Sequence, residues 1–136
     1  MWKLKIHRAR KQPGSKTMKY LCLVYFEPAT MAALSHSEGA TLTHDCIAYD
    51  NELTRAGHYI ISSPLEPTTA ARSIRVRRGK AIKTDGPFAE TKEVLGGFVL
   101  IDASNMDEAV DLAEKIPMAR HGTIEVRPTM PIGSNR

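Results

Sequence analysis

"KYLCLVYF", residues 19–26, is apolar at nearly every position and rich in aromatic and β-favouring side chains. That is the pattern of a strand covered on both faces rather than one with a wet side. "GGFVLIDA", residues 96–103, repeats it. Leu42, Cys46, Tyr49, Leu53 and Ala56 recur at steps of three and four. They predict a helix that starts near Thr41 or Thr43, after a loop "SHSEGAT", and stops before Gly57. Ala109, Leu112, Ala113 and Ile116 form a second stripe, opened by a capping-box pattern at Ser104 and Asp107 and ended by Pro117. "HYIIS" (58–62) and "TIEVRPT" (123–129) supply two more strands. "PLEPTTA" is an extended connector, and Ile74 and Val76 alternate with arginines before an Arg78-Gly79 turn and a returning "KAIKT". The order is β-α-β, a two-stranded ribbon, then β-α-β, an α+β domain. Two helices on an antiparallel sheet cover only one of its faces. The other face of both apolar strands calls for a second layer, and another copy of the same sheet supplies it, which predicts a homodimer.

A chain of 136 residues with 42% hydrophobic and 25% charged side chains fits one soluble globular domain. No apolar run approaches the roughly 20 residues of a membrane helix. The net charge of +4 is concentrated at the N-terminus: Lys3, Lys5, Arg8, Arg10, Lys11 and Lys16 precede any acid. Without those six, 13 basic side chains face 15 acidic ones, and no basic stripe is evident in the body, so neither nucleic acid nor a membrane is expected as partner. Residues 1–17 read as a basic mobile tail, 18–130 as the domain and 131–136 as a C-terminal tail. The first 18 residues lack the apolar segment of a secretory signal. Cys22 and Cys46 fall on core positions, as expected of a reducing cytoplasm. The histidines and cysteines show no metal-ligand spacing, and there is no P-loop, dinucleotide glycine fingerprint or nucleophile elbow, so no metal or cofactor is expected.

The string "TDGPFAETKE", 84–93, raises the question of a site. Asp85, Gly86 and Pro87 are turn-makers, and Phe88 is expected to anchor the loop on the core. Glu90, Lys92 and Glu93 then crowd charges before a buried strand, which a solvated, self-paired loop also explains.

"MKYLCLVYFEP", "YDNELTRAGHYI", "SIRVRRGKAIKTDGPFAETKEVLGGFVLIDA", "DEAVDLAEKIP" and "GTIEVRP" together resemble the YCII-related family, in the bacterial branch marked by its DGPF motif. The resemblance spans nearly all of 18–129. It implies a ferredoxin-like βαββαβ domain with an added β-ribbon, paired sheet to sheet as a dimeric α/β barrel. It also implies a link to extracytoplasmic-function sigma factors, whose genes lie beside or are fused to those of this branch. Distant relatives with the same barrel act on small cyclic acids, and another branch uses a His-Asp acid–base pair; no position of this sequence is matched to that pair.

The residues themselves offer candidates. His58 opens a strand after the glycine that ends the first helix and suits either a general base or a structural imidazole. Glu125 and Arg127 share the strand face opposite Ile124 and Val126. Inside a dimer cavity Arg127 would grip a carboxylate and Glu125 would move a proton; on an outer surface they form a weak ion pair. Asp85 and Lys92 would add to a polar cluster from the loop, and Tyr25 and Tyr49 offer phenolic hydroxyls or core packing. His44 and Asp45, adjacent on a helix, point about 100° apart and are not expected to pair. His36 and His121 read as loop residues. Two functions stay open: cofactor-free acid–base chemistry, isomerase- or lyase-like, on a small anionic molecule, with Asp85, His58 or Glu125 as catalytic groups; or a non-catalytic ligand-sensing or protein-interaction module.

Overall fold

The computed structural model describes residues 5–6 and 17–132. In chain order these form β1 (Lys5–Ile6), β2 (Met18–Phe26), α1 (Pro28–Ala32), α2 (His36–Arg55), β3 (Tyr59–Pro64), β4 (Arg72–Arg77), β5 (Lys80–Asp85), β6 (Val94–Ala103), α3 (Met106–Ala113) and β7 (Thr123–Pro128). The main sheet runs β1-β3-β6-β2-β7 with every pair antiparallel, and β4-β5 stand as a separate two-stranded ribbon. Setting β1 aside, each central strand neighbours one from the other β-α-β half, an arrangement compatible with a ferredoxin-like fold. Lys5–Ile6 pair with Ser62 and Ile61, inside the stretch expected to be a tail. Residues 1–4, 7–16 and 133–136 lie outside the described residues.

One face of the sheet carries the core. Tyr20, Cys22 and Val24 on β2 and Val99 and Ile101 on β6 are buried with Leu42, Cys46, Tyr49 and Leu53 of α2 and Ala109 and Ala113 of α3. Each large apolar side chain so enclosed contributes roughly 1.5–3 kcal/mol before the entropy of ordering it. Strand parity puts Leu21, Leu23 and Tyr25 on the opposite face, where they are half-buried.

Several boundaries differ from expectation for identifiable reasons. α2 begins at His36, not near Thr41, because Ser35 and Glu38 form a reciprocal capping box: Glu38 N–H donates to Ser35 Oγ at 3.1 Å and Ser35 N–H to Glu38 Oε1 at 2.8 Å. The supposed loop is therefore the first turn, and His36 lies in it. α3 is capped one residue later than expected, by Asn105, whose Oδ1 accepts from Glu108 N–H at 2.9 Å. It ends at Ala113, and Pro117 opens a 3₁₀ turn instead of terminating the helix. The connector after β3 also holds a 3₁₀ turn, Thr68–Ala70. The ribbon reverses at Arg78 and Gly79, both at positive φ (54° and 75°), as a tight hairpin turn requires. Phe88 is no plug: it is 81% exposed, because the loop after Gly86 (φ 92°) carries it away from the core.

Candidate functional site

Registers across the sheet assemble the helix-free face row by row. Glu125 lies opposite Leu23, which lies opposite Phe98 and then Ser63; Arg127 lies opposite Leu21, then Leu100 and Ile61. Directly opposed side chains share a face about 5 Å apart. The result is an apolar centre with Glu125 and Arg127 along the β7 edge and Tyr25, opposite Thr123, beside them. Three of the seven expected site residues thus share one face, with Tyr25 half-buried and both charged groups exposed in the protomer.

The remaining four lie elsewhere. Asp85 ends the ribbon with its side chain 95% exposed, and its ion-pair partner is Arg72, Nε to Oδ1 at 3.6 Å. Lys92 extends from the loop to Glu27, Nζ to Oε1 at 3.3 Å, also on the surface. The motif string therefore does not aim these two groups at Glu125 and Arg127: its ion pairs are with Arg72 and Glu27. Tyr49 belongs to the core, where its hydroxyl donates to the Leu112 carbonyl at 2.6 Å and ties α2 to α3. Burial, with the Glu52 charge and Cys22 adding to it, pushes this phenol up to about 12, so it stays a donor.

His58 is placed with more purpose. Its Nδ1 lies 2.8 Å from the Asp102 backbone carbonyl, while its own carbonyl accepts from Asp102 N–H at 2.8 Å. A carbonyl only accepts, so Nδ1 must carry the proton. In the neutral ring this leaves Nε2 with the lone pair a general base needs. The Asp102 side chain is buried on the helix-free face, paired across strands with Lys19, and its Oδ1 makes no hydrogen bond among the described residues. Sequence reading misses it: one aspartate at the end of an apolar strand looks like the start of a loop.

A second polar cluster lies on the helix side. Ser62 Oγ donates to Asp50 Oδ2 at 2.8 Å and lies 2.7 Å from the Tyr59 hydroxyl, with all three side chains buried. A signal for Asp50 exists in the sequence, since it lies four residues after Cys46 on the apolar stripe of α2. Asp50 also borders a cavity of about 220 Å³ between α2 and the sheet, lined by Val24, Phe26, Leu42, Cys46 and Val99 among others. Burial pushes the Cys22 and Cys46 thiols up to about 11, which leaves them protonated and unreactive. His44 and Asp45 do approach, Nδ1 to Oδ1 at 3.6 Å, contrary to expectation; rotatable side chains close the gap on an exposed helix surface where Arg120 also reaches Asp45 at 3.3 Å. Among the described residues no group of three His, Cys, Asp or Glu side chains is placed to hold a metal ion, and no helix is long and apolar enough to cross a membrane.

Comparison with known proteins gives this arrangement a family. The YCII-related domain matches residues 18–133. An uncharacterized protein of Rhizobium meliloti (strain 1021) is 41% identical over 113 residues, covering 82% of this chain and 91% of that protein. With the match spanning both β-α-β halves and the ribbon between them, the chain belongs to the YCII-related family.

Proposed function

We propose that this protein, of the branch carrying the Asp85–Phe88 DGPF motif, is a cytoplasmic homodimer that binds a small organic anion where two helix-free sheet faces meet as a dimeric α/β barrel. The observation that carries the reading is the composition of that face: Leu21, Leu23, Ile61, Phe98 and Leu100 at its centre, with Arg127, Glu125 and Tyr25 at one edge. No helix among the described residues covers these apolar side chains, and burying them against a second copy gains about 25 cal/mol per Å². In a protomer alone Arg127 and Glu125 stand in water and do little. Enclosed by a partner they gain a lower dielectric, where a guanidinium holds a carboxylate in bidentate geometry and a nearby carboxylate moves a proton. Arg127 is then the anion holder and Glu125 the acid–base group for a cofactor-free isomerisation or elimination. His58, just before β3 and separated from β7 by β6 and β2, takes no part in this site.

The cavity beneath α2 favours a second reading: a non-catalytic sensor for an uncharged apolar molecule, linked to extracytoplasmic-function sigma factors. Among the described residues Asp50 is the one acid on its wall, and its carboxylate is already held by Ser62. A thermal-shift screen of carboxylates and neutral aromatic compounds separates the two. A ligand at about 100 times its Kd raises Tm by roughly 5–10 °C for a domain of this size. Loss of a carboxylate's shift in both Arg127→Ala and Glu125→Gln, with Cys46→Met unaffected, supports the sheet-face site. A neutral compound whose shift disappears only when Cys46→Met fills the cavity supports the sensor instead.

A further inference from the structure

We propose that the β4–β5 ribbon is an arm that docks on a second copy of this chain, in the groove between α3 and β7. This rests on the self-association proposed above, but through segments other than the helix-free sheet face. Within its own protomer the ribbon is scarcely packed: Ile74 and Val76 are 64% and 59% exposed, and Ile82 and Phe88 are exposed as well. Cross-strand register puts Ile74, Val76, Ala81 and Lys83 on one ribbon face, closed at its base by the Arg72–Asp85 ion pair. Arg75, Arg77 and Lys80 share the other face with Ile82. Scattered apolar residues on a surface need no explanation, but a contiguous row on a projecting hairpin does.

Charge identifies the occupant. Residues 72–83 hold six of the 19 basic side chains and none of the 15 acids. The N-terminal 18 residues hold six more, which leaves seven bases against all 15 acids in the rest of the chain. Such an acidic body repels nucleic acid and attracts a basic arm. The attraction has a matching surface. Along the exposed side of α3 and its C-cap, Asp107, Asp111 and Glu114 follow one another at helical spacing, next to Met106 and Val110, which are both exposed. Beside them a groove of about 430 Å³ is lined by Val110, Ala113, Glu114, Ala119, Ile124 and Val126. An apolar floor with an acid at its rim complements Ile74 and Val76 flanked by Lys83. A protomer's own groove is a poor target, because β6 and β2 lie between β7 and β3, which leads into the ribbon.

The test is sedimentation velocity on the full chain across a concentration series. It compares wild type, Ile74→Asp/Val76→Asp, Lys83→Glu, Glu114→Lys, the double charge swap Lys83→Glu/Glu114→Lys, and Leu23→Asp on the sheet face. The ribbon positions are exposed, so circular dichroism and melting should show intact protomers. Each single charge reversal should weaken the dimer about threefold, and the swap should restore it. The paired aspartates should weaken it about tenfold or more. Dimers unchanged by every ribbon variant but lost with Leu23→Asp would overturn the arm and leave the sheet-face reading standing. Dimers lost with the ribbon variants and restored by the swap, yet indifferent to Leu23→Asp, would support the arm and remove the sheet-face reading. A wild type that stays monomeric throughout overturns both. Duplex DNA or RNA binding that Lys83→Glu abolishes, with dimerisation intact, would reassign the ribbon to nucleic acid and overturn the proposal.

Discussion

Raising the pH should weaken this fold within a defined window, because two of its core groups are thiols. Cys22 is fully enclosed and Cys46 is 7% exposed; burial moves both from the usual 9.0 to about 11, with Asp50 and Asp45 adding to the rise at Cys46. An acid whose folded pKa exceeds its unfolded one keeps its proton in the fold after the unfolded chain has released it. Its contribution is whole below pH 9 and is lost as the pH rises through 11. Two units correspond to roughly 3 kcal/mol per thiol at the end of the window, and the same linkage gives roughly 1 kcal/mol per thiol at pH 10. Urea titrations at pH 8 and pH 10 on wild type, Cys22→Ala and Cys46→Ala isolate this. Each alanine leaves a cavity whose cost is the same at both pH values. Tyr49, raised to about 12, and Tyr59, also raised by burial, weaken the fold in the same direction in wild type and Cys46→Ala, so their effect cancels there. Cys22→Ala additionally removes the small part that Cys22 adds to the rise at Tyr49. The loss of stability between pH 8 and pH 10 should therefore be smaller by roughly 1 kcal/mol in each variant. Equal losses in wild type and both variants would refute the premise that these thiols are held in a dry core.

Ser62→Ala should cost about 2–3 kcal/mol in the same assay, because it removes a hydrogen bond to a buried carboxylate and the hydroxyl beside Tyr59; a cost under about 0.5 kcal/mol would mean the cluster is hydrated. Two glycines should respond in opposite directions. Gly39, inside α2, has open space where a Cβ would go, so Gly39→Ala should stabilise by about 0.5–1 kcal/mol. A Cβ at Gly122 would overlap the Tyr25 carbonyl oxygen, and Gly122→Ala should destabilise by about 1–3 kcal/mol. Melting temperatures that move the same way in both variants would contradict this packing.

Long-period patterns carry the architecture. The stripe from Leu42 to Leu53 and the alternation in "TIEVRPT" are repeated signals, so one misleading residue does not erase them, and both elements form where the pattern lies. Helix starts rest on a single side chain each. Ser35 with Glu38 is easily overlooked because Gly39 and two neighbouring serines make the stretch look like a loop, yet two hydrogen bonds at the cap outweigh one glycine inside the helix. At α3 the pattern Ser104 to Asp107 competes with Asn105 to Glu108, and the longer glutamate can reach back to Ser104 N–H at 2.7 Å while Asn105 caps its backbone.

The site is legible where a strand's parity fixes direction and illegible where a loop does. Glu125 and Arg127 share a face because Ile124 and Val126 must take the other one. Nothing comparable constrains Asp85, Phe88 or Lys92, whose directions depend on how the chain leaves Gly86. The string "TDGPFAETKE" is thus best understood as the base of the ribbon: Asp85 ties down Arg72, and Gly86 N–H reaches the Ala71 carbonyl at 2.7 Å. Net charge misleads for a related reason. Summed over the body, the six bases of residues 72–83 cancel against distant acids and leave a nearly neutral figure. Electrostatic attraction acts over about 10 Å at ordinary salt, so a projecting cationic hairpin and an acidic helix keep their own fields whatever the total. The quantity that predicts a partner is therefore the separation of the two signs along the chain, which the run of bases from Arg72 to Lys83 and the acids of α3 display residue by residue.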